Sequence, residues 1–303
     1  MRGLTDYITD VGWEDILTFW YVVVADAYQQ LERCYGAWRQ RGPAPLFTDP
    51  EVITVSLFID TFFAGHEALG WAFLRQYHPE LFPDLLAPGP FNERRRVLGR
   101  IIEQVRQQLT ADWGLIAAED RVRLLDSAPI SLATYARGSD TETVCGSEFW
   151  GVCPSKGSKV YGLRLHLTAT TDQGVDRWIM LPAACHDSQA TEAILEEAAD
   201  LDVLADGAYH QPGTADFLAA QRNIRLWTPP RKDSRQPWPK EWRRRIGRWR
   251  RRVECVFNVL SVSFHLEHPQ ARSWDGVVAR LATRLLAYNL SFITRAHFAN
   301  IGA

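Results

Sequence analysis

Apolar and polar positions fall into two textures along this chain. Through the first third, apolar residues recur three and four apart, the period of a helix with one buried face. Trp13 to Arg39 is one such stretch. Thr48-Asp49-Pro50-Glu51 then reads as a helix start. Thr48 or Asp49 is the N-cap there, and Pro50 sits in the first turn, where its missing N–H costs nothing. Val52 to Arg75 continues as one apolar helix or a pair. Pro83, Pro88 and Pro90 interrupt, and Asn92 to Leu109 resumes with a basic face of Arg94, Arg95, Arg96 and Arg100.

The texture changes near Arg121. Val122 to Asp126 is a short apolar strand ending in a carboxylate. Ser139 to Ser158, rich in Gly, Ser and charge, reads as a loop. In Lys159 to Thr170, Tyr161, Leu163, Leu165 and Leu167 alternate with Gly162, Arg164, His166 and Thr168, the pattern of a half-buried strand. Asp172-Gln173-Gly174 turns the chain, and Arg177 to Ala184 returns as a hairpin partner. Ser188 caps a helix over Gln189 to Leu201, and Val203 to Asp206 is a second strand ending in Asp. A helix over Thr214 to Arg222, a strand over Ile224 to Thr228, a long helix from about Pro239 to Leu260 and a last helix over Val277 to Phe298 complete the chain. Hairpin and strand–helix–strand units together predict an α/β layer, a mixed sheet flanked by helices in the RNase H-like order. An all-helical amino-terminal domain over 1–118 precedes this domain, which spans 119–303.

Composition permits a large core: 46% of residues are hydrophobic, and 12 are Trp. The five cysteines form no C-x-x-C pair, so reduced thiols and a cytoplasmic protein are expected, and Cys145, Cys153, Cys185 and His186 match no common zinc spacing. Neither a signal peptide nor a membrane-spanning run is visible. Net charge is −2, but its distribution is uneven. From Arg231 to Arg252, eleven Lys or Arg against Asp233 and Glu241 leave nine net positive charges, so the remainder carries eleven negative ones. A basic stripe on an acidic protein is the footprint of a polyanion-binding face, although charge runs are also common on solvated helix surfaces.

Two strand ends carry Asp126 and Asp206, where side chains of an open α/β sheet converge on a crevice. Either acid alone reads more readily as a loop cap. Together they repel unless a cation compensates them, and their oxygens suit Mg²⁺ or Mn²⁺. On the long helix Trp242, Ile246, Trp249, Val253, Val256 and Leu260 form an apolar stripe, so these tryptophans read as core. Glu254 lies beside that stripe with Arg250 one turn earlier, as a pocket acid or half of an i,i+4 ion pair. Arg248, Arg251 and Arg252 point elsewhere, free to meet phosphates. His166, His186 and Tyr209 read equally well as structural groups.

Leu125-Asp126-Ser127, Tyr161-Gly162-Leu163-Arg164-Leu165-His166, Cys185-His186-Asp187, Leu204-Ala205-Asp206-Gly207-Ala208-Tyr209 and Arg250 to Phe257 occur in one order. Over nearly the whole chain this resembles the DDE-class transposases of bacterial insertion sequences, nearest the insertion-sequence family numbered nine-eight-two. The resemblance implies that Asp126, Asp206 and Glu254 are catalytic acids holding two Mg²⁺ ions, with Mn²⁺ as a substitute. It implies phosphoryl transfer that nicks the element's ends and joins them to target DNA. Lys232, Arg243, Arg248, Arg250, Arg251 and Arg252 are the implied DNA contacts, and Arg94 to Arg100 the contact with terminal inverted repeats. A homodimer or larger assembly on double-stranded DNA, at the bacterial nucleoid and away from membranes, is implied too. Relatives often carry a tyrosine seven residues before the glutamate and a lysine seven after; Gly247 and Ser261 stand there. A structure-specific nuclease on the same fold, and an idle DNA-binding descendant of a transposase, are the competing readings.

Overall fold

A computed structural model describes residues 11–39, 42–117, 119–153, 157–230 and 238–301. The chain forms two compact units. One comprises residues 1–115, 263–266 and 271–303; the other comprises 116–262 and 267–270. The boundary anticipated after residue 118 therefore falls at 115, and the last helix, anticipated with the sheet, belongs to the helical unit.

The helical unit contains α1 (Trp13–Tyr35), α2 (Asp49–Phe62), α3 (Glu67–Tyr77), α4 (Pro88–Val97), α5 (Gly99–Asp112) and α9 (Trp274–Ile301). Gly36, at φ 88°, stops α1 four residues before the anticipated end at Arg39. Thr48 is the N-cap of α2: its hydroxyl accepts from the Glu51 N–H while the Glu51 carboxylate accepts from the Thr48 N–H at 2.6 Å. The apolar run continuing from Val52 is a pair of helices bent by 113°, broken where Ala64 and Gly65 take positive φ. Likewise the anticipated helix over Asn92–Leu109 begins at Pro88 and divides at Leu98.

The helix α9 packs against α5, α2 and α4. Leu281, Ala282, Leu285, Leu286 and Ala287 are fully covered there, and two buried side-chain hydrogen bonds join α9 to its neighbours. Trp20 donates to Thr294 at 2.8 Å, and Asn289 donates to Thr110 at 3.1 Å. Arg95, 2% exposed, binds Asp60, 0% exposed, and also Glu67 at 3.1 Å; Arg280 reaches the same Glu67 at 2.5 Å. Arg94 binds Asp49 and the Phe47 carbonyl. Arg94 and Arg95 are therefore not a basic face: acids dozens of residues away hold them inside the unit. Arg96 and Arg100 are exposed. No single helix among the described residues is long and apolar enough to cross a membrane.

The second unit is built on β1 (Val122–Ala133), β2 (Trp150–Cys153), β3 (Ser158–Ala169), β4 (Val175–Pro182), β5 (Asp202–Ala205) and β6 (Arg225–Trp227). Strand β1 is antiparallel to β3 and parallel to β5, which in turn is parallel to β6. On the far edge of β3, β2 pairs along Ser158–Tyr161 and β4 along Leu163–Ala169. The order β4-β3-β1-β5-β6, three antiparallel strands followed by two parallel ones, is the RNase H-like arrangement. Strand β3 is covered on both faces rather than half-buried: Leu163, Leu165 and Leu167 on one face and His166 and Thr168 on the other are all buried. Gly162 is required there: a Cβ would meet the Ile130 carbonyl of β1 at 2.1 Å.

Leu125, Val203 and Ala205 alternate onto one face, packed with Ala190 and Ile194 of α6 (Ala190–Ile194) and with Leu218 of α7 (Pro212–Arg222). Helix α6 is much shorter than the stretch to Leu201 anticipated for it; its N-cap is Gln189, not Ser188, and His186 caps the short turn just before, its ring accepting from the Ser188 N–H. The long helix α8 (Lys240–Ser263) matches its anticipated span within a turn. Its stripe buries Ile246, Val253, Val256 and Leu260, but Trp242 and Trp249 stay part-exposed, with Trp242 edge-on to Trp227 of β6. With Val122 and Leu204, these groups line a groove of about 310 Å³.

Candidate active site

Side chains alternate along a strand, so residues two apart share a face. Leu124 and Asp126 therefore share the face of β1 opposite Leu125, and Asp206 follows Leu204 in the same phase. This is the face toward α8, since Leu204 meets Trp242 and Ile246 there. Strand β1 does not end at Asp126 as anticipated. It runs on to Ala133 along β3, whereas its parallel pairing with β5 stops at Leu125 and Ala205. The crevice opens where the neighbouring strand ends. Asp126 stands on its wall and Asp206 on its rim.

Asp126 accepts a hydrogen bond from the Ser127 N–H at 2.8 Å. Asp206 is the N-cap of a short turn, accepting from the Ala208 N–H at 2.6 Å. Glu254, exposed on α8, completes the three acids of one cavity of about 680 Å³. Arg250, one helical turn before Glu254, places its guanidinium 3.5 Å from Asp206. The cavity also takes in Arg164, Asp187 and Glu267, so five carboxylates face two guanidinium groups. The oxygens of Asp126, Asp206 and Glu254 are not all within 4.8 Å of one another.

Burial pushes the Asp126 carboxyl up from 3.8 to about 6, and the negative charges of Asp206 and Glu254 add to the rise. The Ser127 N–H and Arg250 oppose it. A carboxylate raised this way is costly to ionise alone and gains most from a nearby cation. In the same cavity, Arg164 binds Asp187 at 3.1 Å, and the Ser127 hydroxyl donates to the same carboxylate at 3.4 Å. His166, fully buried and held at about 3 by burial and by Arg164, is neutral, with its Nδ1 2.9 Å from the Tyr209 hydroxyl. His166 and Tyr209 thus form a buried pair outside the lining of the cavity, while His186 only caps a turn.

The anticipated DNA contacts divide. Arg243, Arg248 and Arg251 are exposed, and Arg248 shares an open trough with Arg244, Arg245 and Trp249. Arg250 faces the acids instead. Arg252 is tied to the β3–β4 turn, bonded to the Thr171 carbonyl and 3.7 Å from Asp172. Lys232 lies outside the described residues. Sequence reasoning passed over Arg164, Asp187 and Glu267. Arg164 showed only as a charged position in an alternating strand, Asp187 only as the end of Cys185-His186-Asp187, and Glu267 gave no signal.

The profile of a protein family described as "Transposase DDE domain" matches residues 117–290. Among solved structures the chain is similar to the Mos1 transposase paired-end complex with left transposon end, at 13% identity over 91% of this chain and 96% of that one, with a TM-score of 0.23. It is also similar to a pre-cleavage Mos1 transpososome, at 11% identity over 96% of this chain and 98% of that one, again at 0.23. Superpositions this loose carry no weight for the fold, which rests on the strand order. No curated protein sequence matches the chain.

Proposed function

We propose, from the premise that this chain belongs to the transposase DDE domain family, that it cuts DNA at the ends of its own element and joins those ends to target DNA. The observation that carries the reading is the meeting of Asp126, Asp206 and Glu254, from two strands and a helix, around one acidic cavity. The donor set fits a divalent cation: an excess of carboxylates over guanidinium groups, one of the acids buried and raised. Asp126, Asp206 and Glu254 would hold Mg²⁺ or Mn²⁺, both of which favour carboxylate and phosphate oxygen. When bound, such an ion polarises the scissile phosphate and eases deprotonation of the attacking oxygen.

The chain's own groups do the positioning. Above about pH 6 Asp126 is ionised and presents a fixed negative oxygen toward the cavity. Arg250 neutralises Asp206 and stands ready to take a phosphate oxygen, since guanidinium binds carboxylate and phosphate with the same geometry. The exposed Arg243, Arg248 and Arg251 supply sequence-independent affinity along the DNA backbone. In the first step a water oxygen bonds to phosphorus and the 3′ oxygen leaves with a proton, freeing a 3′ hydroxyl. In the second step that hydroxyl bonds to a target phosphorus and expels the target's own 3′ oxygen. The helical unit, with Arg96 and Arg100 exposed, is proposed to hold the element's ends, and two or more copies to act together on them.

Labelled element ends incubated with protein and Mg²⁺ test the proposal. Cleavage should fall by about 100-fold or more in Asp206→Asn, because several kcal/mol of charge stabilisation is lost. DNA binding should persist. Wild-type cleavage without joined product would leave a nuclease; an active Asp206→Asn would remove the site altogether.

A further inference from the structure

The helical unit carries a second constellation of ligand-type atoms. Glu14 lies in the first turn of α1, His78 is the residue that ends α3, and Glu80 follows two positions later. One Glu14 oxygen is 3.7 Å from His78 Nδ1, one Glu80 oxygen is 3.6 Å from it, and the three ligand atoms all lie within 4.8 Å of one another. Among the described residues no other three ligand atoms of this kind come so close.

The histidine distinguishes this cluster from a chance meeting of surface acids. His78 is 9% exposed, with its ring against Phe73 at 5.6 Å between centroids. Its Nδ1 is buried and has no hydrogen-bond partner, yet it points between two carboxylates. Both distances exceed hydrogen-bond length. Among the described residues, neither glutamate has a Lys or Arg within ion-pair distance. Two carboxylates held close without a cation repel each other, and a buried ring nitrogen without a partner is costly. One ion between them relieves both.

We propose that Glu14, His78 and Glu80 form a zinc site that ties the start of α1 to the end of α3. Zn²⁺ bonds His nitrogen at about 2.0–2.1 Å and carboxylate oxygen at about 2.0–2.2 Å, which places tetrahedral ligands roughly 3.3–3.5 Å apart. The two histidine–carboxylate spacings need close by only a few tenths of an ångström. A mixed imidazole and carboxylate set favours zinc over Mg²⁺, which takes oxygen alone. The exposed side leaves room for water as the fourth ligand.

Zinc titrated into the metal-stripped full-length chain by calorimetry tests this, with Glu14→Gln, Glu80→Gln and His78→Gln alongside. Both glutamates are well exposed, at 67% and 59%, so their variants keep the fold, which matched circular dichroism without zinc verifies. Each substitution should weaken one zinc site by about tenfold or more. X-ray absorption at the zinc edge should show an imidazole ligand in wild type that His78→Gln removes. No histidine lines the acidic cavity, so this signature separates the two places. Equal zinc affinity in all four proteins, or bound zinc with no imidazole lost in His78→Gln, would overturn the proposal, and neither result bears on the reading of the acidic cavity.

Discussion

Replacing Asp126 by asparagine removes a charge at nearly constant shape, and it should stabilise the cation-free protein at neutral pH and above. In the native chain the Asp126 carboxyl titrates near 6, against 3.8 unperturbed, chiefly because it is buried. A group whose folded pKa is raised adds stability that is full below the unfolded pKa and is lost as pH rises through the folded one. The window therefore runs from about pH 4 to just above pH 6. Roughly two pKa units at about 1.4 kcal/mol each gives about 3 kcal/mol lost between these limits. Asparagine cannot ionise, and its oxygen can still accept from the Ser127 N–H. The variant should match wild type at pH 4 and exceed it by up to about 3 kcal/mol at pH 8, or about 6–12 °C for a domain of this size. Thermal unfolding in EDTA at pH 4, 6 and 8 reads this directly, and other titrating groups cancel in the difference. Adding Mg²⁺ at about 100 times its Kd should return roughly 2.7 kcal/mol to wild type and far less to the variant. Parallel pH profiles for the two proteins, or a variant less stable at pH 8, would refute the reasoning.

Three other outcomes follow from the same geometry. Arg250→Gln removes the charge that lowers Asp126, so the acidic limb of the cleavage profile should move to higher pH; an unmoved limb would show that Arg250 does not act on this carboxyl. DNA affinity measured by fluorescence anisotropy should fall steeply with salt, and Arg248→Ala or Arg251→Ala should each reduce the log–log slope by about 0.9 if each meets one phosphate. In the helical unit Asp60→Asn leaves Arg95 buried beside a neutral partner, which should cost about 3–5 kcal/mol, measured by urea unfolding. A cost below about 1 kcal/mol would mean that Glu67 alone satisfies Arg95.

The legible parts of the sequence were those governed by short range. The helix start at Thr48-Asp49-Pro50-Glu51, the extended texture of β3 and the stripe of α8 are each decided within a few residues. Asp126 was found as a strand-end acid, yet its strand continues for seven residues. What ends there is the pairing with β5, a fact carried by residues almost eighty positions away. Arg94 and Arg95 read as a basic face because nothing local shows that Asp49, Asp60 and Glu67 will meet them. The same blindness hid Asp187 and Glu267, which enter the cavity from distant segments. Helix α9 is apolar nearly all round, so its pattern announces burial without saying against what.

The placement of α9 has a consequence for biosynthesis. The helical unit closes only when α9 meets α5 and α2, and all of Ile116 to Gln270 is made in between. On the ribosome, the surfaces of α2, α4 and α5 that meet α9 wait for it while the whole sheet emerges. A nascent chain stopped before α9 would carry Asp126, Asp206 and Glu254 complete but lack the helix that seals the other unit. Such a fragment would leave the helical unit unsealed and open to chaperones and proteases.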